Sequence, residues 1–139
     1  MMSVVAMAVQ FEGRYKLENS ENFNEFLKEI GMGYFKRLAA TASNSEYVVT
    51  KEPNDHWKLK TISTFKDSEI TFKSGVPFKE DRADGQTVDT TITVDGNRWK
   101  QLQRGEPQVN VEREFSDDGV VVRSTANGVT SVRTYKRQK

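Results

Sequence analysis

Residues 109–136 read VNVEREFSDDGVVVRSTANGVTSVRTYK, and this stretch decides the fold. Three runs within it, 109–115, 119–126 and 129–136, alternate apolar and polar residues with a period of two, which is typical of half-buried β-strands. Asp118-Gly119 and Asn127-Gly128 separate the runs, and both dipeptides favour two-residue hairpin turns. The stretch therefore predicts an antiparallel meander of three strands.

Two-residue turns also predict which side chains share a face, because directly opposed residues of a hairpin lie on the same side. Val122 then faces Arg133 across the second turn, and Arg113 faces Ser124 across the first. One face is mainly apolar but also holds two arginines, two serines and a tyrosine: Val109, Val111, Arg113, Phe115, Val120, Val122, Ser124, Ala126, Val129, Ser131, Arg133 and Tyr135. The opposite face is mostly polar and is predicted to meet solvent.

Two cations, Arg113 and Arg133, therefore lie on a core face, roughly 12 Å apart on a flat sheet by the usual strand spacing. No acidic residue of these strands shares that face. A guanidinium keeps its charge when buried and is costly to bury without a partner. A ligand carboxylate meets this need, since it accepts paired hydrogen bonds from guanidinium groups and one more from the Tyr135 hydroxyl.

The apolar neighbours of the arginines, with Val122 and Ser124 among the cavity positions, are then expected to line an acyl chain. Each buried CH₂ of such a chain contributes about 0.8 kcal/mol of affinity. Two other environments for the arginines stay open at this point. In the first, the arginines pair with acids of other strands, such as Glu69, Asp84 or Asp89. In the second, they lie in water at the mouth of a barrel.

Composition restricts the classes of function. A chain of 139 residues suits one domain, predicted over 1–139, and its net charge of +1 provides no field that attracts nucleic acid. With no cysteine and one histidine, neither a disulfide framework nor a His/Cys metal site is expected. Nothing in the pattern brings a nucleophile and a base together, and no phosphate-binding loop is present. We predict no enzyme, no cofactor and no nucleic-acid partner.

The rest of the chain is also mainly β. Further strands are predicted at 11–17, 46–50, 57–65, 69–74, 87–95 and 98–104. Between the first two of these, the apolar period becomes helical at Phe23, Phe26 and Leu27, with Ser20 or Asn22 as the N-cap. A second short helix is predicted at 33–42, so the two helices form a helix-turn-helix in the geometric sense.

The N-terminus is apolar over residues 1–9 but is short and lacks a basic flank, so no signal peptide is predicted. Met7 is a second candidate start, and residues 1–7 are expected to form a flexible tail.

Several segments resemble the fatty-acid-binding protein family, also called the intracellular lipid-binding proteins, from about Phe11 to the C-terminus. The motifs that carry the resemblance are GRYKL at 13–17, NFNEFL at 22–27, GMGY at 31–34, STFK at 63–66, TITVDG at 91–96 and GVTSVRTY at 128–135. The last of these is the most specific. Asn24 departs from the family, which usually has an acid at that position.

The resemblance implies a mainly β fold, a ten-stranded antiparallel up-and-down barrel of lipocalin-like architecture capped by the two helices. It places the family's Arg–Arg–Tyr carboxylate site on Arg113, Arg133 and Tyr135, the trio that the face pattern also indicates. It also implies roles in the cavity or its portal for Phe23, Phe26, Leu27, Met32, Ala40, Phe65, Arg82 and Asp84.

The predicted function is an intracellular lipid carrier that binds long-chain fatty acids or related lipid carboxylates non-covalently. Retinoic acid, bound by the same trio, is the nearest alternative. A barrel that serves only as an interaction scaffold and a secreted lipocalin-like carrier are two further alternatives. We expect a cytoplasmic monomer with transient membrane contact. Some family members also carry a nuclear-localisation patch on the helices, which Lys28 and Arg37 match, whereas Leu38 replaces one basic residue of it.

Overall fold

The computed structural model describes residues 9–139, and the tail predicted over residues 1–7 lies outside the described residues. The chain begins with β1 (Gly13–Glu21), followed by the helices α1 (Phe23–Glu29) and α2 (Tyr34–Ala42). The remaining strands are β2 (Ser45–Glu52), β3 (His56–Ser63), β4 (Ser68–Lys73), β5 (Phe78–Asp81), β6 (Thr87–Asp95), β7 (Arg98–Arg104), β8 (Val109–Phe115), β9 (Gly119–Ala126) and β10 (Val129–Gln138).

The strands form one antiparallel ten-stranded sheet in the order β4-β3-β2-β1-β10-β9-β8-β7-β6-β5. Each strand pairs with the next along the chain except β4 with β5, and β1 pairs with β10. The end of β4 is tied to β6, because the Gly75 N–H donates to the Ile92 carbonyl at 2.9 Å and the Val94 N–H donates to Ser74 Oγ at 2.8 Å. The predicted up-and-down barrel is confirmed, as a barrel that is nearly closed.

The predicted N-cap of the first helix is corrected, and the fifth strand was not predicted. Ser20 is not an N-cap, because β1 continues past a register shift after Leu17 and places Ser20 opposite Arg133. Asn22 occupies the N-cap position in a left-handed conformation (φ 62°), but its amide donates to the Thr130 carbonyl at 3.0 Å and does not cap the helix. Strand β5 was not predicted from the sequence because its four residues are too few to show alternation.

The connection between β8 and β9 corrects the predicted register. Asp118-Gly119 is not a two-residue turn, since Phe115 pairs with Val120 and four residues lie between them. Arg113 consequently pairs with Val122 and not with Ser124. A shift of two residues keeps every side chain on its predicted face.

The second predicted turn, at Asn127-Gly128, is confirmed by the pairing of Ala126 with Val129. Arg133 pairs with Val122, which itself pairs with Arg113 on the other side. The two arginines therefore share one row of the sheet, and their backbones are about 10 Å apart by strand spacing, closer than the predicted separation.

Aromatic rings fill the end of the barrel away from the helices. Ring centroids of neighbouring members lie between 5.0 and 5.8 Å apart within the cluster of Phe11, Trp57, Phe72, Trp99 and Phe115. The Arg137 guanidinium closes this end by donating to four backbone carbonyls, those of Gln10, Glu12, Ser116 and Asp117. Because this end is filled, open space for a ligand lies toward the helices.

The two helices cover the other end of the barrel. The inward residues Phe26 and Leu27 of α1 and Ala40 of α2 are buried. Asn127, in the turn between β9 and β10, donates to Glu29 Oε1 at 3.0 Å and so anchors α1 to the barrel rim. Within residues 9–139, no helix has the length and apolar character needed to cross a bilayer.

Candidate functional site

A cavity of about 270 Å³ lies between the helical cap and the interior face of the sheet. Most of the positions predicted for the cavity or its portal line it, namely Phe23, Phe26, Leu27, Met32, Ala40, Phe65, Arg82, Ser124 and Arg133. The lining combines an apolar part, contributed mainly by the helical cap, with polar side chains and five charged ones, namely Lys66, Glu80, Asp81, Arg82 and Arg133. The arrangement suits a ligand with a long apolar body and one polar end.

The other predicted positions, Arg113, Tyr135, Val122 and Asp84, are not part of this lining. Arg113, Val122 and Tyr135 are buried beside it, with exposed fractions of 8%, 4% and 2%. Val122 and Arg113 stand next to Arg133 in the same row of the sheet. The predicted trio therefore has one member on the cavity wall, Arg133, and two members behind it.

Arg133 reaches the cavity between aromatic rings. Its guanidinium carbon lies 3.9 Å from the centroid of the Phe23 ring and 5.9 Å from that of Tyr135. Stacking on aromatic faces stabilises a guanidinium but satisfies none of its hydrogen-bond donors. Its Nε finds no acceptor among the described residues. Arg133 is thus a positioned cation whose donors remain available to an anion.

Arg113 is held by a neutral partner. Its Nη1 donates to Gln101 Oε1 at 2.5 Å, and its guanidinium carbon lies 5.7 Å from the Tyr47 ring centroid. Its Nε also lacks an acceptor among the described residues. Neither this arginine nor Arg133 forms an ion pair within residues 9–139.

The Tyr135 hydroxyl lies 2.9 Å from Ser45 Oγ, and the Tyr135 ring stacks on Tyr47 at a centroid distance of 4.3 Å. Burial is the main cause that raises the pKa of Tyr135, and the neighbouring Tyr47 raises it further, while Arg133 and the Ser45 hydrogen bond oppose the rise. The phenol therefore remains protonated at neutral pH and can act as a hydrogen-bond donor.

The acids that the sequence offered as partners for the arginines are engaged elsewhere or exposed. Asp89 pairs with Lys79 at 2.7 Å, and Glu69 is exposed on β4. Asp84 pairs with Arg82, also at 2.7 Å, and both side chains are only 3% exposed.

The pair of Arg82 and Asp84 joins the loop before β6 to the loop before β8, because Arg82 also donates to the carbonyls of Glu106 and Pro107. Burial raises the pKa of the Asp84 carboxyl, but hydrogen bonds from Arg82 and from the Gln86 backbone, with the charge of Arg82, outweigh burial and hold this pKa below its usual range. Arg82 lines the cavity as a neutralised group and is not free to bind an anion.

A carboxylate that the sequence analysis missed does face the interior. Glu80 lines the cavity, and its Oε1 accepts hydrogen bonds from Thr90 Oγ1 at 2.8 Å, Gln101 Nε2 at 2.9 Å and Gln103 Nε2 at 3.0 Å. A signal for the glutamines was present, since Gln101 and Gln103 share the parity of buried Trp99 in β7. Glu80 itself had no such signal, because it lies in the short strand β5.

Comparison with known proteins agrees with this geometry. The model of the lipocalin / cytosolic fatty-acid binding protein family matches residues 12–138. The chain belongs to this family. A fatty acid-binding protein of Tyrophagus putrescentiae is 51% identical over 132 residues, which cover 94% of this chain and 99% of that protein.

Two solved structures of fatty-acid-binding proteins show the same fold. A fatty acid-binding protein from brain tissue of Drosophila melanogaster superposes with a TM-score of 0.87 at 42% identity, covering 91% of this chain and 99% of the other. A fatty acid binding protein of Schistosoma mansoni, in complex with arachidonic acid, superposes with a TM-score of 0.88 at 28% identity, covering 93% and 96%.

Membership of the fatty-acid-binding family confirms the resemblance drawn from the sequence motifs. It supports a role as a lipid carrier, and it agrees with the prediction that the protein is not an enzyme, since the family binds and transports lipids.

Proposed function

We propose that this protein, as a single domain over 1–139, binds long-chain fatty acids non-covalently, with the carboxylate held by Arg113, Arg133 and Tyr135. The observation that carries the proposal is the pair of arginines in one interior row of the sheet, neither of which forms an ion pair with the described residues. An anion from outside the chain supplies the negative charge that these two arginines lack, and the apolar side chains of the cavity beside them accommodate an acyl chain.

Arg133 makes the first contact with the ligand, since it alone of the trio reaches the cavity wall. Arg113 lies behind it and keeps its bond to Gln101, while its Nε–H, which has no acceptor among the described residues, donates a charge-assisted bond to the carboxylate. Tyr135 stays protonated and donates to the same group. Burial of the chain against Phe26, Met32 and their neighbours supplies most of the affinity.

The ligand bound by one relative supports this proposal. The Schistosoma mansoni protein, 28% identical to this chain, is a fatty acid binding protein in complex with arachidonic acid, a long-chain carboxylate.

A titration of the delipidated protein with oleate tests the proposed function. We expect saturable binding of one oleate per chain, with an affinity in the micromolar range or tighter, because a buried C18 chain and a bound carboxylate both contribute. Isothermal titration calorimetry gives the stoichiometry and the affinity together. Retinoic acid, which also presents a carboxylate, is then added as a competitor to the oleate complex. Absence of oleate binding contradicts the function, and tighter binding of retinoic acid moves the assignment to retinoids.

We also propose transient contact of α2 with membranes during lipid transfer. Tyr34, Phe35 and Leu38 are 59%, 82% and 48% exposed, and exposed Lys36 lies among them, so α2 presents apolar and cationic groups together. Replacing Phe35 by serine is expected to slow the transfer of a fluorescent fatty acid to vesicles of mixed neutral and anionic lipid several-fold, with oleate affinity unchanged. An unchanged transfer rate contradicts this role of α2.

We propose a cytoplasmic monomer. The nuclear expectation rested on Lys28 and Arg37, but the Arg37 guanidinium donates to the Met32 carbonyl at 2.7 Å and to Asn24 Oδ1 at 3.1 Å within the helical cap. Because Arg37 is engaged within the cap, Lys28 is the freer basic group of the two, and the match to a nuclear-localisation patch is weakened. We therefore favour the cytoplasm as the compartment. Size-exclusion chromatography with light scattering tests the monomer.

A further inference from the structure

The interior of the barrel contains an anion of its own. Glu80 lines the cavity, yet it forms no ion pair within the part of the chain that the structure describes. Its three hydrogen bonds, from Thr90, Gln101 and Gln103, all end on Oε1. The exposed fractions of these three partners are 0%, 3% and 7%, so the carboxylate is held from the wall side. An interior carboxylate is unexpected in a cavity for an anionic ligand, because like charges repel at low dielectric.

Gln101 joins this anion to the carboxylate site. Its Nε2 donates to Glu80 Oε1 at 2.9 Å, and its Oε1 accepts from Arg113 Nη1 at 2.5 Å. An amide between a carboxylate and a guanidinium has only one orientation that satisfies both, so Gln101 is fixed by its two charged neighbours. Arg113 and Glu80 are therefore opposite charges joined by the side-chain amide of Gln101. We refer to Arg113, Gln101 and Glu80 together as the relay.

We propose that Glu80 sets the charge selectivity of the cavity. In the empty protein it offsets the charge of Arg113 through Gln101, so the buried arginine is tolerated without a ligand. When a fatty acid binds, its carboxylate is a second anion near the same relay and is repelled by Glu80. The residue thus weakens the binding of anionic lipids and leaves the binding of uncharged lipids with the same chain unaffected. This inference rests on the proposed carboxylate site.

A comparison of a charged and an uncharged ligand separates this role from a structural one. The ligands are oleate and oleyl alcohol, which share the same chain, and the variant is Glu80→Gln. Glutamine keeps the length of the side chain and an oxygen that accepts the same three donors, so the wall of the cavity is preserved. Charges one amide apart in a protein interior interact strongly enough to change an equilibrium constant on the order of tenfold.

We expect Glu80→Gln to bind oleate about tenfold more tightly than the wild-type protein, with the affinity for oleyl alcohol changed less than twofold. Asp89→Asn is the matched control, because it removes one carboxylate on the neighbouring strand β6 that is exposed and paired with Lys79. It is expected to change neither affinity. Glu80→Met, which also lacks the charge, is expected to bind oleate more tightly than the wild-type protein as well.

Two results overturn the inference. If both ligands change affinity together, Glu80 acts through the shape of the cavity, and if oleate affinity is unchanged in both neutral variants, its charge is irrelevant. The proposed function fails by a different result, namely no binding of oleate by the wild-type protein. Wild-type binding of oleate that depends on Arg133 but not on the charge of Glu80 leaves the proposed function standing and refutes only this inference.

Discussion

Replacing Arg133 by glutamine is expected to weaken oleate binding by about 2–5 kcal/mol, which corresponds to roughly 30-fold or more. Arg133 is the member of the trio on the cavity wall, and it makes no hydrogen bond or ion pair that the substitution would break within residues 9–139. The loss of affinity therefore comes from the ligand contact, while the fold loses the stacking of the guanidinium on Phe23 and Tyr135. Calorimetric titration of the delipidated variant measures it, with circular dichroism as the test of folding.

Arg123→Gln provides the matched control for the loss of an arginine. Arg123 lies on β9, next to the strand of Arg133, but its guanidinium is on the outer face, where it approaches Glu112 at 3.8 Å and Glu114 at 3.2 Å. Surface ion pairs of this kind are worth little, and this variant is expected to bind oleate as the wild-type protein does. If the folded Arg133→Gln variant also binds oleate like the wild type, the carboxylate lies elsewhere in the cavity and the proposed site is wrong.

Replacing Gly119 by alanine is expected to destabilise the protein by about 3 kcal/mol or more, because the added methyl group overpacks a site that cannot relax cheaply. A Cβ at this position lies 1.9 Å from the Tyr135 carbonyl oxygen and 3.2 Å from the Lys136 Cα, so the backbone of β10 has to move. That movement opens the pairing of Gly119 with Lys136 at the end of the β9–β10 ladder. Thermal unfolding is expected to occur roughly 10 °C lower.

Gly33→Ala is the control for this change, since a Cβ there meets no atom within 4 Å and the backbone is not left-handed (φ −66°). The expected change in unfolding free energy is within about 0.5 kcal/mol, because the lost preference for glycine at an N-cap and the smaller entropy of the unfolded chain nearly cancel. Equal stability of Gly119→Ala and the wild type would mean that β9 and β10 are farther apart at this point than the structure has them.

Gly119 also shows where local sequence signals mislead. Asp-Gly is a strong turn signal, and from it we predicted a two-residue turn with glycine inside it. The structure places the glycine at the start of β9, where the close approach of the Tyr135 carbonyl requires a residue without a side chain. The Asn127-Gly128 signal was correct, and both residues have positive φ, 48° and 80°. A dipeptide cannot distinguish these two reasons for a glycine, since one is local and the other lies on a neighbouring strand.

The placement of Arg113 and Arg133 on one interior face was predictable because both residues belong to one long meander. A period of two assigns each side chain to a face, and an error of two residues in the β8–β9 register left Arg113 and Arg133 on the same interior face. The predicted cavity residues of the two helices, Phe23, Phe26 and Leu27 of α1 and Ala40 of α2, all line the cavity, since helical spacing places their apolar residues on one side.

The period of side chains along each element therefore sufficed for most of the strands, the two helices and the interior arginines, whereas the ten-stranded barrel with its helical cap was predicted from the family resemblance. Tertiary structure alone showed that the arginines share one row, that Asp84 is paired with Arg82, and that Glu80 faces Arg113 across Gln101. These facts depend on which strands lie side by side and on which side chains of a short strand such as β5 face the cavity. Periodicity within a strand carries no information on distances between strands that are far apart in the chain.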